Sequence, residues 1–267
     1  MRDTRERLPD EPVGARRLVG SPEPSDTRSP ADSERLFTIR VHVTGMRIAL
    51  LGGTGDIGQG LALRWAYDTD HEVLIGSRDA EKARTAAESY ETELDSHGVD
   101  RTVKGFVNEM AADRADIVVL AVPPYHVGDT VDSVAGKLDE DAILVSPAVG
   151  MKGDEDGMHY HRPGAGSVTA IAAEAAPDPV SVVGAFHNLS ADRLANLDVT
   201  LDLDTLVVGD DPDAKGIVRQ LADEIEGLRS LDAGPLANAA EVESVTPLVI
   251  NIARHNDGMH DVGVKFE

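Results

Sequence analysis

The chain has 267 residues, enough for one large domain or for one domain with a smaller partner, and 41% of them are hydrophobic. Its 48 acidic residues outnumber 25 basic ones, giving a formal charge of −23, and a chain without a basic face is not expected to bind nucleic acid. Because the chain has no cysteine, disulfides, zinc–thiolate sites and thiol catalysis are excluded.

The charge composition is typical of a cytosolic protein from a salt-accumulating halophile. Aspartate accounts for 30 residues, and 19 arginines stand against 6 lysines. In concentrated salt the repulsion between carboxylates is screened, while their hydration keeps the surface in solution. An ordinary acidic enzyme is the alternative. No apolar run approaches the roughly 20 residues of a membrane span, and no signal peptide is recognisable, so we expect a cytoplasmic location.

Residues 1–45 differ in composition from the rest of the chain. They contain five prolines and balance 8 arginines with 8 acidic residues, so residues 46–267 carry the whole net charge. Their apolar residues show almost no periodic pattern. Two interpretations stay open: a disordered extension, or a gene start placed too early, with Met46 as the true first residue, which we favour. The fold is therefore predicted from residue 46 onward.

Residues 46–66 have the order strand, glycine turn, helix. The apolar run Ile48–Leu51 has the length of a buried parallel strand, and residues 61–66 have helical spacing. Between them, Gly53, Gly55 and Gly58 fit G-x-G-x-x-G, which permits a tight turn, a close approach of pyrophosphate and close packing of the helix on the strand. The free N–H groups at the helix start would face the phosphates. The flanking elements favour a dinucleotide site over an ordinary glycine-rich turn.

The end of the second strand, about 20 residues after Gly58, predicts which dinucleotide binds. An NAD enzyme places an acidic residue there to bind the ribose hydroxyls. This chain has Ser77 and Arg78 instead, with Lys82 one helical turn later. A hydroxyl and two cations suit a 2′-phosphate, which a carboxylate would repel. The cofactor is therefore predicted to be NADP.

The next segments continue the alternation of helices and strands. Asp79 is predicted to cap a helix that runs to about Ser96. A buried strand over residues 116–122 stops at Pro123 and Pro124, and in a doubly wound sheet the loop that follows lines the nucleotide. The other elements predicted up to Ser146 are a short strand over 103–106, a helix to Leu138 and a strand over 142–146.

Residues 148–166 are rich in glycine, aspartate and histidine, and we predict that they form a mobile lid. His159 and His161 invite interpretation as a metal site, but no carboxylate or third histidine stands at a recognisable ligand spacing. We therefore predict no metal.

The rest of the chain is predicted to complete the sheet and to add a smaller domain. A helix over 168–176 and a strand over 180–185 lead to His187 and close an NADP-binding Rossmann domain over residues 46–195. Residues 196–267 are predicted to form a small α-rich domain. Its elements are a strand over 203–208, a helix over 214–225, a strand over 228–231 and a long helix over 237–255 that Pro247 should kink.

Four segments of the chain stand out together: GGTGDIGQGLALR, GSRDAEKA, LDAGPLANAAEVESVTPLVINIAR and GVKFE. They resemble the NADPH:coenzyme F420 oxidoreductases, of the haloarchaeal type, and the resemblance covers roughly residues 46–266. It implies an α/β fold with a doubly wound parallel Rossmann sheet and a smaller C-terminal domain that contributes to the deazaflavin site. It also implies hydride transfer between reduced coenzyme F420, an 8-hydroxy-5-deazaflavin, and NADP, by an enzyme that is usually a homo-oligomer.

The resemblance also implies which residues border the two cofactors. The pyrophosphate would be held by Thr54, Gly55, Asp56 and Ile57, and the 2′-phosphate by Ser77, Arg78 and Lys82. The ribose and nicotinamide would be bordered by Val122, Pro123, Pro124, Gly128, Val149 and Ala191. The deazaflavin would be bordered by His187 and Val262.

Hydride transfer between two organic carriers requires little acid–base machinery, because the cofactors perform the chemistry and the protein stacks them without water. We therefore assign no residue a catalytic role, and His187 either polarises the deazaflavin through a hydrogen bond or is structural. Two other functions stay open. One is an NADP-dependent imine or ketone reductase related to the pyrroline-carboxylate reductases, which needs a proton donor; the other is a non-catalytic NADP-binding regulator.

Overall fold

The computed structural model describes residues 45–267, so the two interpretations of the N-terminal segment concern residues outside it, Gly45 excepted. The strands of the described part are β1 (Arg47–Leu51), β2 (Glu72–Ser77), β3 (Val103–Val107), β4 (Ile117–Leu120), β5 (Ile143–Ser146), β6 (Met151–Gly153), β7 (Met158–Tyr160), β8 (Ser181–Gly184), β9 (Leu203–Gly209) and β10 (Leu228–Asp232). The α-helices are α1 (Asp56–Asp68), α2 (Ala80–Ser96), α3 (Asn108–Ala112), α4 (Val127–Val134), α5 (Val168–Ala175), α6 (Ala191–Ala195), α7 (Pro212–Asp223) and α8 (Ala239–His255). Among these helices, none is long and apolar enough to cross a membrane.

One sheet contains eight of the strands, in the order β10-β9-β8-β5-β4-β1-β2-β3. The six strands from β3 to β8 in this order are parallel, and Ile48 of β1 lies between Val73 of β2 and Ile117 of β4. The chain reverses its direction of travel across the sheet between β1 and β4, which is the point where open α/β sheets bind their ligands. The predicted doubly wound parallel sheet is confirmed over these strands.

The C-terminal strands extend the same sheet, which the sequence did not predict. β9 runs antiparallel to β8, with Val208 opposite Gly184, and β10 is parallel to β9. The long helix α8 gives the C-terminal region its helical part. The strands on both sides of residue 195 share one sheet. The division into two domains at this residue stays a prediction.

Helices cover both faces of the sheet. α1, α2 and α7 bury their apolar residues on one face, and α3, α4 and α5 bury theirs on the other. On the first face the Trp65 indole donates from Nε1 to the carbonyl of Leu221 at 3.0 Å, and its ring meets Phe186 edge-on with 5.5 Å between centroids. The apolar runs in the sequence predicted strands that are buried on both faces, and the two layers of helices bury those faces.

The segment predicted as a mobile lid, residues 148–166, contains a hairpin formed by β6 and β7. Asn251 of α8 binds this hairpin as a neighbouring strand would. Its Oδ1 accepts from the N–H of Met158 at 2.8 Å, and its Nδ2 donates to the carbonyl of the same residue at 2.7 Å. The hairpin is thereby attached to α8. The glycine-rich residues of this segment form a turn between two paired strands.

Candidate functional site

The glycine turn between β1 and α1 has the geometry of an anion site. The N–H of Gly53 donates to the carbonyl of Leu50 at 3.0 Å and closes the turn. A Cβ on Gly58 would lie 2.6 Å from Cα of Gly53, so only glycine lets α1 pack this closely. Gly55 precedes α1 without a side-chain cap, which leaves the first N–H groups of the helix free for a ligand. From the core side, Tyr90 Oη donates to the carbonyl of Gly53 at 2.8 Å.

A cavity of about 570 Å³, which we call the polar cavity, lies at the carboxyl ends of β1, β2, β3 and β4. The residues that line it include Thr54, Gly55, Ser77, Arg78, Lys82, Asn108, Val122, Pro123, His126, Asp129 and Thr130. The loops after four neighbouring parallel strands thus converge on one cavity, as expected at the switch point of such a sheet.

Ser77, Arg78 and Lys82 place a hydroxyl and two cations on the wall of the polar cavity. Neither cation forms an ion pair with any of residues 45–267. The adjacent carboxylate of Asp79 caps α2 by accepting from the N–H groups of Glu81 and Lys82 at 2.9 and 3.4 Å. The buried Ser77 Oγ accepts from the N–H of Asp79 at 3.2 Å and keeps its own proton for a ligand. Two cations and a hydroxyl donor complement a phosphate group.

Residues of α3 and α4 that were not predicted from the sequence also line the polar cavity. Asn108 directly follows β3 and is 6% exposed, and its Oδ1 has no hydrogen-bond partner among residues 45–267. Asp129, Thr130 and Ser133 come from α4. A polar residue at the end of a predicted strand was the available signal for Asn108, since that end meets the ligand in this fold.

A second cavity of about 570 Å³, which we call the apolar cavity, also borders the glycine turn. Its wall comes from the loops after β4 and β5, the segment after β8, helix α8 and the chain's C-terminal tail. Most of the lining is aliphatic or prolyl and includes Pro147, Val149, Met151, Leu189, Val249 and Val262. Such a cavity suits a flat, largely apolar ring and excludes water from it.

Most of the predicted site residues line one of the two cavities. Gly55, Val122 and Pro123 line both; Thr54, Ser77, Arg78 and Lys82 line the polar cavity; and Asp56, Ile57, Pro124, Val149, His187, Ala191 and Val262 line the apolar cavity. Gly53, Gly58 and Gly128 line neither. The first two shape the turn, and a Cβ on Gly128 would lie 3.3 Å from Cγ2 of Ile171, so this glycine packs α4 against α5.

The two cavities meet at the glycine turn and at the loop after β4. Gly55, Ala121, Val122 and Pro123 border both of them. A molecule with a phosphorylated end in the polar cavity and a planar ring in the apolar cavity would therefore pass the free N–H groups of α1 at its middle.

His187 is a buried neutral side chain in the wall of the apolar cavity. It is 3% exposed, its Nε2 lies 3.3 Å from Thr169 Oγ1, and its Nδ1 has no hydrogen-bond partner within residues 45–267. Burial lowers the pKa of His187 to about 3, so the imidazole is uncharged near neutral pH. Thr246 of α8 donates to the carbonyl of His187 at 2.7 Å and ties the helix to this part of the wall.

The C-terminal tail closes one side of the apolar cavity. Asp261 and Val262 line it, and Ser190 Oγ donates to Asp261 Oδ1 at 2.8 Å. Beyond them the buried Asp204 accepts two hydrogen bonds from Arg229, at 2.8 and 2.7 Å, and one from the N–H of Phe266 at 2.6 Å. The hydrogen bonds of the Arg229 guanidinium hold the pKa of Asp204 below its usual range. The tail is thus attached to β9 by the hydrogen bond from Phe266 to Asp204, whose carboxylate is itself paired with Arg229 of β10.

Of the two histidines that invite a metal interpretation, His159 has a partner for its ring and His161 has one for its backbone N–H. His159 Nε2 lies 3.0 Å from Asp154 Oδ1 on the hairpin, and the N–H of His161 donates to the carbonyl of Gly150 at 2.8 Å. In the part of the chain that the structure describes, no three histidine or carboxylate side chains are grouped to hold a metal ion.

Comparison with protein families gives a match over residues 47–150 to the family described as "NADP oxidoreductase coenzyme F420-dependent". A curated protein named F420-dependent NADP reductase, from Methanothermobacter marburgensis, is 39% identical over 213 residues, which are 78% of this chain and 92% of the relative. A protein of the same name from Methanocaldococcus jannaschii is 37% identical over 210 residues, with the same coverage of 78% and 92%. Both relatives come from methanogens, so the prediction of a haloarchaeal type stays untested.

Among solved structures, a protein from Arthrobacter sp. FB24 described as a candidate F420-dependent NADP reductase superposes with a TM-score of 0.64 at 25% identity. The superposition covers 78% of this chain and 93% of that protein. Arogenate dehydrogenase from Synechocystis superposes with a TM-score of 0.51 at 16% identity, covering 71% of this chain and 60% of that one, which shows a shared fold.

Proposed function

The chain belongs to the family of coenzyme F420-dependent NADP oxidoreductases. From this premise we propose which part of each cofactor binds in each of the two cavities. The protein is an oxidoreductase that transfers a hydride between reduced coenzyme F420 and NADP. The redox chemistry belongs to the two ring systems: the reduced deazaflavin supplies the hydride, NADP takes it up, and one proton is released. The protein's own residues have to bind, orient and desolvate the two rings.

NADP occupies the polar cavity with its adenosine end. Ser77, Arg78 and Lys82 bind the 2′-phosphate, because they are the hydroxyl and the two cations that meet there without a paired carboxylate. The first N–H groups of α1 bind the pyrophosphate. The nicotinamide then passes Val122 and Pro123 into the apolar cavity, since these residues border both spaces.

The deazaflavin shares the apolar cavity with the nicotinamide. Val149, Ala191 and Val262 present aliphatic surface to the rings, and their role is to hold two planar systems together without water between them. His187 is neutral and does not supply the proton that an imine or ketone reductase requires. The observation that carries the proposal is the junction of a cation-lined cavity with an apolar one at the glycine turn.

We also propose that the protein is a homo-oligomer. Leu248 and Ile252, four residues apart on α8, are 58% and 38% exposed, which is unusual for large apolar side chains on one helix face. Light scattering of the purified protein at several concentrations would measure the assembly. A cytoplasmic location and the lack of a nucleic acid partner stay predictions from composition.

An absorbance assay tests the function directly. Reduced coenzyme F420 is mixed with enzyme and NADP, then with enzyme and NAD, in concentrated salt, and the return of the oxidised deazaflavin band is followed. We expect rapid oxidation with NADP and much slower oxidation with NAD. Binding of NADP without any oxidation would favour the non-catalytic regulator, and oxidation that is equally fast with NAD would remove the proposed role of the polar cavity.

A further inference from the structure

A buried carboxylate in α8 organises the region behind His187. Glu243 is fully buried and accepts four hydrogen bonds. Its Oε1 accepts from the N–H and from Oγ1 of Thr169, at 2.9 and 3.0 Å. Its Oε2 accepts from the N–H of Val168 at 3.1 Å and from Tyr160 Oη at 2.9 Å. One carboxylate thereby joins α8, the start of α5 and the β6–β7 hairpin.

The hydrogen-bond partners of Glu243 and Thr169 determine where the protons of this network lie. All four partners of Glu243 are donors, two of them backbone N–H groups, which is the pattern of an ionised carboxylate. Burial raises the pKa of Glu243, and the four hydrogen bonds oppose that shift. Because the single hydroxyl proton of Thr169 is directed to Glu243, the Thr169 oxygen acts toward His187 as an acceptor. The proton between Thr169 Oγ1 and His187 Nε2 then belongs to Nε2.

A neutral imidazole has one N–H group, so a proton on Nε2 leaves Nδ1 as an acceptor. Nδ1 is buried and lacks a partner within residues 45–267, and its residue lines the apolar cavity. A buried acceptor without a donor is costly unless a ligand supplies one. The deazaflavin carries a ring hydroxyl and ring N–H groups that can do so.

We propose that Glu243 is a positioning residue that, through Thr169, holds His187 in the tautomer protonated on Nε2 and so keeps Nδ1 as the acceptor for an O–H or N–H donor of the deazaflavin. The last step of this proposal rests on the proposed function, while the tautomer is a property of the protein alone. The two parts can therefore fail separately.

The tautomer is measured in the full-length protein without ligand, near pH 7, from the ¹⁵N chemical shifts of the imidazole nitrogens. An H187N spectrum identifies the signals of His187 among the nine histidines of the chain. We expect a protonated Nε2 and an unprotonated Nδ1. A protonated Nδ1 would mean that Thr169 donates to His187, and it would overturn the proposal even if the enzyme is fully active.

Three variants separate positioning from simple packing. Thr169→Val removes the hydroxyl with little change of shape, and Thr169→Ser keeps it. Tyr160→Phe is the matched control, because it removes a hydroxyl donor from the same carboxylate without touching His187. We expect T169V to lose the Nε2 tautomer preference, and T169S and Y160F to keep it.

The same variants carry a kinetic signature. We expect T169V to lower kcat/KM for reduced coenzyme F420 roughly fivefold to tenfold, the loss of about one hydrogen bond, with an unchanged KM for NADP. T169S should recover most of the wild-type value. If T169V and Y160F lower kcat/KM to the same extent, the network only supports the fold and the positioning role is wrong. Failure of wild-type enzyme to oxidise the deazaflavin would refute the proposed function but leave the tautomer assignment standing.

Discussion

The polar and apolar cavities are built in different ways. The polar cavity takes its cations from one short segment, Ser77–Lys82, and these cations are exposed and pair with no carboxylate of residues 45–267. The apolar cavity takes its wall from segments scattered between Gly55 and Val262, and buried polar groups hold those segments in place. We therefore expect substitutions in the polar cavity to change ligand affinity without changing fold stability, and substitutions around the apolar cavity to change both.

Arg64 illustrates how the apolar cavity depends on the interior. It lies on α1, is 2% exposed, and donates to the carbonyl oxygens of Leu194 and Val199 at 2.9 Å each. These carbonyls belong to the segment that carries the cavity residue Ala191. A charged side chain with no contact to either proposed ligand therefore fixes part of the wall.

The strongest test of the coupling is Glu243→Gln. Each carboxylate oxygen of Glu243 receives one backbone N–H, so an amide must set its NH₂ group against one of them in either orientation. We expect the free energy of unfolding to fall by about 3 kcal/mol. Urea denaturation measures it, with Glu241→Gln as the control, because Glu241 lies exposed on the same helix. Equal stability of the two variants would show that the wall of the apolar cavity is not held by this carboxylate.

Arg78→Ala tests the separability of the polar cavity. Losing the proposed charge-assisted contact to the 2′-phosphate should weaken NADP binding by about 1.5–3 kcal/mol, roughly 10- to 150-fold in Kd. Binding of NAD and the free energy of unfolding should hardly change, because Arg78 forms no ion pair with residues 45–267. Titration calorimetry with both dinucleotides measures the effect. Arg84→Ala removes an exposed arginine of the same helix region outside the cavity and serves as the control.

His187, in the wall of the apolar cavity, makes the free energy of unfolding depend on pH. Its pKa is lowered to about 3 in the folded protein from an ordinary value of 6.5. Between these values the imidazole is protonated in the unfolded chain and neutral in the folded chain. The stabilisation is present above pH 6.5 and is lost as the pH falls. Between pH 6.5 and 5.5 the loss should be about 1 kcal/mol. Urea denaturation at both values should show a loss of stability about 1 kcal/mol larger in the wild type than in His187→Gln, because the other titrating groups are common to both, and an identical loss in both would place the imidazole in contact with water.

Local sequence was sufficient to predict those parts of the molecule whose contacts lie between residues close together in the chain. Strand β1, the glycine turn, the Asp79 cap and the Ser77–Arg78 pair lie within about one super-secondary unit, where spacing determines contact. The family resemblance supplied Val149, Ala191 and Val262, which the structure places on one cavity. Residue spacing alone could not have joined them.

The missed features depend on contacts between distant segments. The polar network of Glu243 unites Tyr160, Thr169 and α8, and neither Tyr160 nor Thr169 stands in a recognised motif. Likewise, the pairing of β9 antiparallel to β8 depends on how the chain crosses the sheet. The hairpin at 151–160 was hidden because its strands have three residues each, too short for a period of two to be visible.

Tyr90→Phe should produce the smallest effect and refines the comparison from the polar side. Tyr90 lies on α2, is 4% exposed, and donates to the carbonyl of Gly53 in the glycine turn. Burial raises the pKa of Tyr90 to about 12, so the phenol keeps its proton at any working pH. Removing the hydroxyl leaves that carbonyl without this donor, at a cost of about 1 kcal/mol in unfolding free energy. Because the pyrophosphate is proposed to bind at this turn, Kd for NADP and for NAD should rise by the same small factor, which a 2′-phosphate contact cannot do. A rise in Kd for NADP alone would show that the glycine turn affects the site formed by Ser77, Arg78 and Lys82. The residues that support the fold and the residues that select NADP would then not be independent in the polar cavity.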